Sequence, residues 1–177
     1  MNIATYAFTA MATLTAFTAT AADIQAGSAA EARFWAFSEQ IALSLPGHPG
    51  DVARIVSGSA RATTDRLNRT NALPGKEIGP SLYARNSVIL VGAGNRTESV
   101  TFNLSGSCVS ATSLRSQYPT LIVMDYARPD SPHATYTFGA QVGDAIIAHS
   151  FDAERMDCMN KVEITPAAET KARLRMD

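Results

Sequence analysis

Two thiols are the first candidates for chemistry. Cys108 and Cys158 are the only cysteines in 177 residues. A thiol is a nucleophile only as a thiolate beside a base, and three histidines exist, His48, His133 and His149. The context Ser-Gly-Ser-Cys-Val-Ser matches no nucleophile motif. In an oxidising compartment two thiols pair instead, here closing a loop of about 50 residues. The pairing of Cys108 with Cys158 is therefore the expected reading. A catalytic Cys108 is its rival.

The histidines stand at none of the short spacings that make a metal site readable, so no metal and no cofactor is expected. Carboxylates gather at Asp152, Glu154 and Asp157. Such a set can supply an acid and a base for hydrolysis. Beside Arg155 and Cys158, the same three acids also suit a solvated hairpin loop, which is the preferred reading. Ser57-Gly58-Ser59 and Ser105-Gly106-Ser107 are not Gly-x-Ser-x-Gly elbows. Gly92-Ala93-Gly94 lacks the Gly and Lys of a phosphate cradle.

Composition narrows the class. Fifteen Lys+Arg against sixteen Asp+Glu leave a net charge of −1, so nothing is available to track a nucleic-acid backbone. Only 7 % of the chain is aromatic, too little for a stacking platform. Residues 1–22 carry no charged side chain, and Ala and Thr fill fourteen of these positions. Ala19-Thr20-Ala21 fits a small-x-small cleavage site. Residues 1–21 are expected to be a signal peptide, cut after Ala21, leaving one globular domain over 22–177 in the periplasm or medium. The leader holds too much Thr to be expected as a membrane span.

These candidate residues need elements to position them. Ser28 and Glu31 form a capping box before Phe34, Phe37, Ile41 and Leu45, which share one helical face, so a helix is predicted over 29–45. Asp51 looks like the cap of a second, broken helix over 52–70. Residues 71–81 read as a breaker-rich loop. Strands follow at 87–91, 99–105, 121–126, 135–141, 146–151 and 161–165, with a short helix at 113–117 capped by Thr112. The tail from Pro166 is polar and reads as helical or frayed. The predicted class is α+β: N-terminal helices packed on one antiparallel sheet of four to five strands, in two layers.

Charge is uneven along the chain. Residues 51–76 sum to +3 and residues 120–160 to −4. The acidic stretch suits a cationic protein partner. Tyr126, Arg128, Asp130, His133 and Tyr136 surround one loop of this stretch and are the expected partner-binding residues, because Tyr and Arg often anchor interfaces.

In element order alone, residues 28–165 resemble small bacterial periplasmic modules: the beta-lactamase-inhibitor protein, outer-membrane assembly lipoproteins and periplasmic immunity proteins. The lipoproteins' acylated cysteine is missing here. The resemblance implies an exported, non-enzymatic protein-binding module of inhibitor or immunity type. The alternatives are a small periplasmic hydrolase, using Cys108 or the Asp152/Glu154/Asp157 loop, and a structural protein of envelope assembly.

Overall fold

The computed structural model describes residues 19–58, 70–126 and 134–176. Residues 1–18 of the expected leader, the later part of the helix expected over 52–70, and Arg128, Asp130 and His133 lie outside the described residues. Helix α1 spans Ala19–Ser44. Its apolar face is the one the spacing predicts: Phe34, Phe37, Ile41 and the following Leu45 are all buried. Each such side chain withdrawn from water contributes about 1.5–3 kcal/mol. Ser28 lies inside the helix and does not cap it. The preceding stretch is rich in alanine and free of proline, so the helix runs on through it, Gly27 included.

Helix α2 spans Pro49–Ser57, and its cap is His48, not Asp51: the His48 Nδ1 accepts from the Gly50 N–H at 3.0 Å. Pro49 takes the first helical position, where a missing N–H costs nothing. Gly58 ends the helix at φ 73°, donating to the Arg54 carbonyl.

Among the described residues eight strands follow: β1 (Thr70–Leu73), β2 (Lys76–Gly79), β3 (Leu82–Val91), β4 (Thr97–Gly106), β5 (Ile122–Asp125), β6 (Thr135–Val142), β7 (Ala145–Asp152) and β8 (Met159–Pro166). Helix α3 (Ala111–Gln117) precedes β5, with Ser110 as its cap in place of Thr112, and α4 (Ala167–Leu174) follows β8. The strands form one sheet in the order β1-β3-β4-β8-β7-β6-β5, all pairs antiparallel, with β2 also on β3.

The sheet is thus larger than the four to five strands expected, and the loop expected over 71–81 holds two of them. The breakers mislead because they serve the pairing. Ten-residue β3 exposes an edge that β1 fills beside Ser87–Leu90 and β2 beside Leu82–Ala84, with Pro74-Gly75 between them. Tertiary pairing overrides local propensity there.

Strand alternation sorts the sheet into two faces. Val100, Phe102, Ile147, His149, Val162 and Ile164 point to the side covered by α1 and are fully buried. Asn103, Ser150, Lys161 and Glu163 point to the other side. Helix α4 lies on that second side, because Thr165 and Thr170 share a 2.6 Å hydroxyl hydrogen bond under it. It buries Ile146, the cross-strand partner of Thr165. The expected two layers therefore gain a partial third.

Gly106 ends β4 at φ 98°, and a Cβ there would stand 1.9 Å from the Ser81 carbonyl oxygen. Gly106→Ala is expected to cost about 2 kcal/mol or more. At Gly94, φ 72° with open space around it, the same change is expected to cost about 1 kcal/mol. Paired denaturation curves separate the steric term from the backbone one.

Candidate functional site

The two thiols are joined. Cys108 and Cys158 form a disulfide with S–S 2.05 Å, and no free cysteine remains. A disulfide sulfur carries no proton to lose, so the thiolate version of a hydrolase has no nucleophile in this state. The bridge lies where the sequence order puts it, joining the segment before α3 to the start of β8. Backbone bonds run beside it: Met159 N–H donates to the Val109 carbonyl at 2.9 Å, and Ser110 bridges Cys158.

The Asp152/Glu154/Asp157 loop is the turn between β7 and β8. Asp152 spends one carboxylate oxygen on the Glu154 backbone N–H at 3.1 Å. Asp152, Asp157 and Arg155 border a cleft of about 540 Å³ beside the disulfide. Asp125 lies at the same end of the sheet, because the pairs Thr135–Asp152 and Asp125–Thr137 are neighbours. The acidic stretch of sequence thus becomes, in part, one acidic end.

His149 is fully buried on β7 among the rings of Tyr118 (5.7 Å), Trp35 (5.8 Å) and Phe34 (6.4 Å). Its Nδ1–H donates to the Phe138 carbonyl at 3.3 Å, and Nε2 has no partner among the described residues. Burial pushes the imidazole down to about 4, against the opposing Phe138 carbonyl. This histidine is sealed from any substrate and acts inside the core. Tyr118 donates to Glu39 Oε1 at 3.0 Å, and its phenol is pushed above the usual range by burial, then by that carboxylate. Glu39 also accepts from Gln117, and Glu31 from Ser113, so two acids of α1 hold α3 over the histidine.

Of the expected partner-binding residues, Tyr126 is 67 % exposed at the end of β5, and Tyr136 is half-buried one step beyond the Asp125–Thr137 pair. Sequence reading missed a neighbouring exposed apolar residue, Val123, which is 44 % exposed on β5. Strand β5 is last in the sheet order, with no described strand on its outer side. A register shift between Val123 and Asp125 bends it.

Sequence reading also missed a groove of about 800 Å³ on the second face, walled by α4 through Arg173 and Leu174. Its signal was present in β8, where Lys161, Glu163 and Thr165 alternate with buried Val162 and Ile164. Asn160, the extra residue at the β7–β8 bulge, borders both this groove and the acidic cleft. Among the described residues no group of His, Cys, Asp and Glu could hold a metal ion, and no helix is long and apolar enough to cross a membrane. No known family, curated protein or solved structure matches this chain.

Proposed function

We propose that this chain is an exported, non-enzymatic protein-binding module of inhibitor or immunity type, which docks a cationic partner on the outer edge of β5. The observation that carries the reading is the pair of exposed apolar side chains on that edge, Val123 and Tyr126, flanking Asp125. Edge strands are ordinarily protected by charge, shortness or a bulge, because free N–H and C=O groups recruit other strands. β5 is short and bent, yet it keeps two large apolar groups in water. A partner strand added there gains main-chain hydrogen bonds, with Tyr126 as an anchor. Asp152, Glu154 and Asp157 at the same end favour a basic partner and speed its approach.

The test is photo-crosslinking from positions 123 and 126 in periplasmic extract, then affinity measurement with the captured protein. Val123→Lys is expected to weaken binding about tenfold or more, since a charge on an edge strand opposes strand addition and a cation there repels a basic partner. Leu43 is the control, 67 % exposed on α1. Equal crosslinking from position 43, or an affinity unmoved by Val123→Lys, would remove the edge from the reading.

A further inference from the structure

Five strands place one residue each in a single row across the second-face groove. Asn103 pairs with Lys161, Lys161 with Ser150, Ser150 with Thr137, and Thr137 with Asp125. The row is polar from end to end. In the middle, the Thr137 and Ser150 hydroxyls lie 2.9 Å apart, sharing one proton between them and keeping further donor and acceptor capacity.

The charges are arranged as a dipole. Lys161, Glu163 and Arg173 border the groove toward β8 and α4 and sum to +1; Asp125 stands at the β5 end. The one ion pair among the described residues is Asp51 with Arg54, far from here, so these groove charges are not spent on each other. Asp125 is already oriented, because its Oδ1 accepts from the Tyr126 N–H at 2.9 Å.

Span selects the ligand. From β8 to β5 is three strand spacings, about 14 Å. An extended chain advances about 3.3–3.6 Å per residue, so about four residues cover that distance. Among the described residues no aromatic ring lines the groove, so a sugar ring finds none of them to stack on there. Hydroxyls in the middle suit peptide N–H and C=O groups instead. We propose that this groove binds short peptides with free termini, about four residues long, their carboxylate at Lys161 and Arg173 and their ammonium at Asp125. This site opens on the second face of the sheet and shares Asp125 with the β5 edge strand, while Val123 and Tyr126 are not among its lining residues.

The test is a titration of the ¹⁵N-labelled protein with tetra-alanine in four forms: free, N-acetylated, C-amidated and blocked at both ends. Free tetra-alanine is expected to shift the amide signals of Lys161, Ser150, Thr137 and Asp125. Each block is expected to weaken binding about tenfold, the loss of one charge-assisted contact. Lys161→Gln and Asp125→Asn change exposed residues, and Asn keeps the bond to Tyr126 N–H. Each is expected to weaken the free peptide by a similar factor.

The pairing is the decisive part. In Asp125→Asn, N-acetylation should cost nothing more; in Lys161→Gln, C-amidation should cost nothing more. Val123→Lys should leave tetra-alanine binding unchanged, since Val123 is not among the groove's lining residues, so failure of the edge reading and failure of this one are distinct results. Equal binding of the doubly blocked peptide, additive losses in the matched variants, or no shifts in the row at low-millimolar peptide would each overturn the proposal.

Discussion

Opening the Cys108–Cys158 bridge, by reductant or by Cys108→Ala/Cys158→Ala, is expected to lower the free energy of unfolding by about 4 kcal/mol. The bridge spans 50 residues, and the entropy of that loop in the unfolded chain sets the figure. That is a large share of the 5–15 kcal/mol, roughly, that holds an ordinary domain together. The loss has a local address. The bridge anchors the segment leading into α3, and α3 carries Leu114 and Tyr118 over the Trp35–His149 cluster. Trp35 is the single tryptophan, 6 % exposed, so its fluorescence reports on that roof. Urea titrations with and without reductant should show a lower midpoint and a red-shifted native baseline. A difference below about 1 kcal/mol would mean that the Met159–Val109 pairing alone holds the loop.

The second large effect is acid sensitivity centred on His149. In the unfolded chain this imidazole takes up a proton below about 6.5. In the folded chain burial delays protonation to about 4. Between those values the unfolded state binds the extra proton, so stability falls as pH falls. The slope reaches about 1.4 kcal/mol per pH unit, or about 3 kcal/mol over the window. Above about 6.5 this contribution is constant. His149→Leu removes the titration, so its stability should approach that of the natural chain as pH drops from 7 to 4. Denaturation curves at several pH values check this. Two parallel stability-versus-pH curves would show that His149 does not carry the effect.

Much of this architecture can be read from periodicity. The α1 face was legible because Phe34, Phe37, Ile41 and Leu45 recur at helical spacing. The β6–β8 strands were legible because apolar and polar residues alternate or run together within short segments. What was illegible is set by partners distant in sequence. β1 and β2 are strands only because β3 offers a long edge, and nothing within residues 70–79 announces it. Helix α1 continues upstream of Ser28 because a capping box is permissive: no proline precedes it, and the single Gly27 does not end the helix. The side of the sheet on which α4 lies is marked by the Thr165–Thr170 bond and by buried Ile146, neither of which the periodicity of the tail announces.

The candidate sites divide in the same way. Tyr126 could be found from its type and its acidic neighbourhood. The groove could not, because Asn103, Asp125, Thr137, Ser150 and Lys161 meet only through the register of five strands. Arg128, Asp130 and His133 lie outside the described residues.

The strand order has a consequence for how the protein is made. The sheet consists of two runs, β1 to β4 and β5 to β8, and the seam between them is the pairing of β4 with β8. β8 is the last strand in sequence yet sits at the centre, with Phe102 facing Val162 and Val100 facing Ile164. A growing chain cannot close its sheet until this strand has been synthesised, and the disulfide waits for the same segment. Contacts of such long sequence separation form slowly. The central pairing is therefore absent until β8 has been made, and any truncation before β8 removes the middle of the sheet instead of trimming its rim.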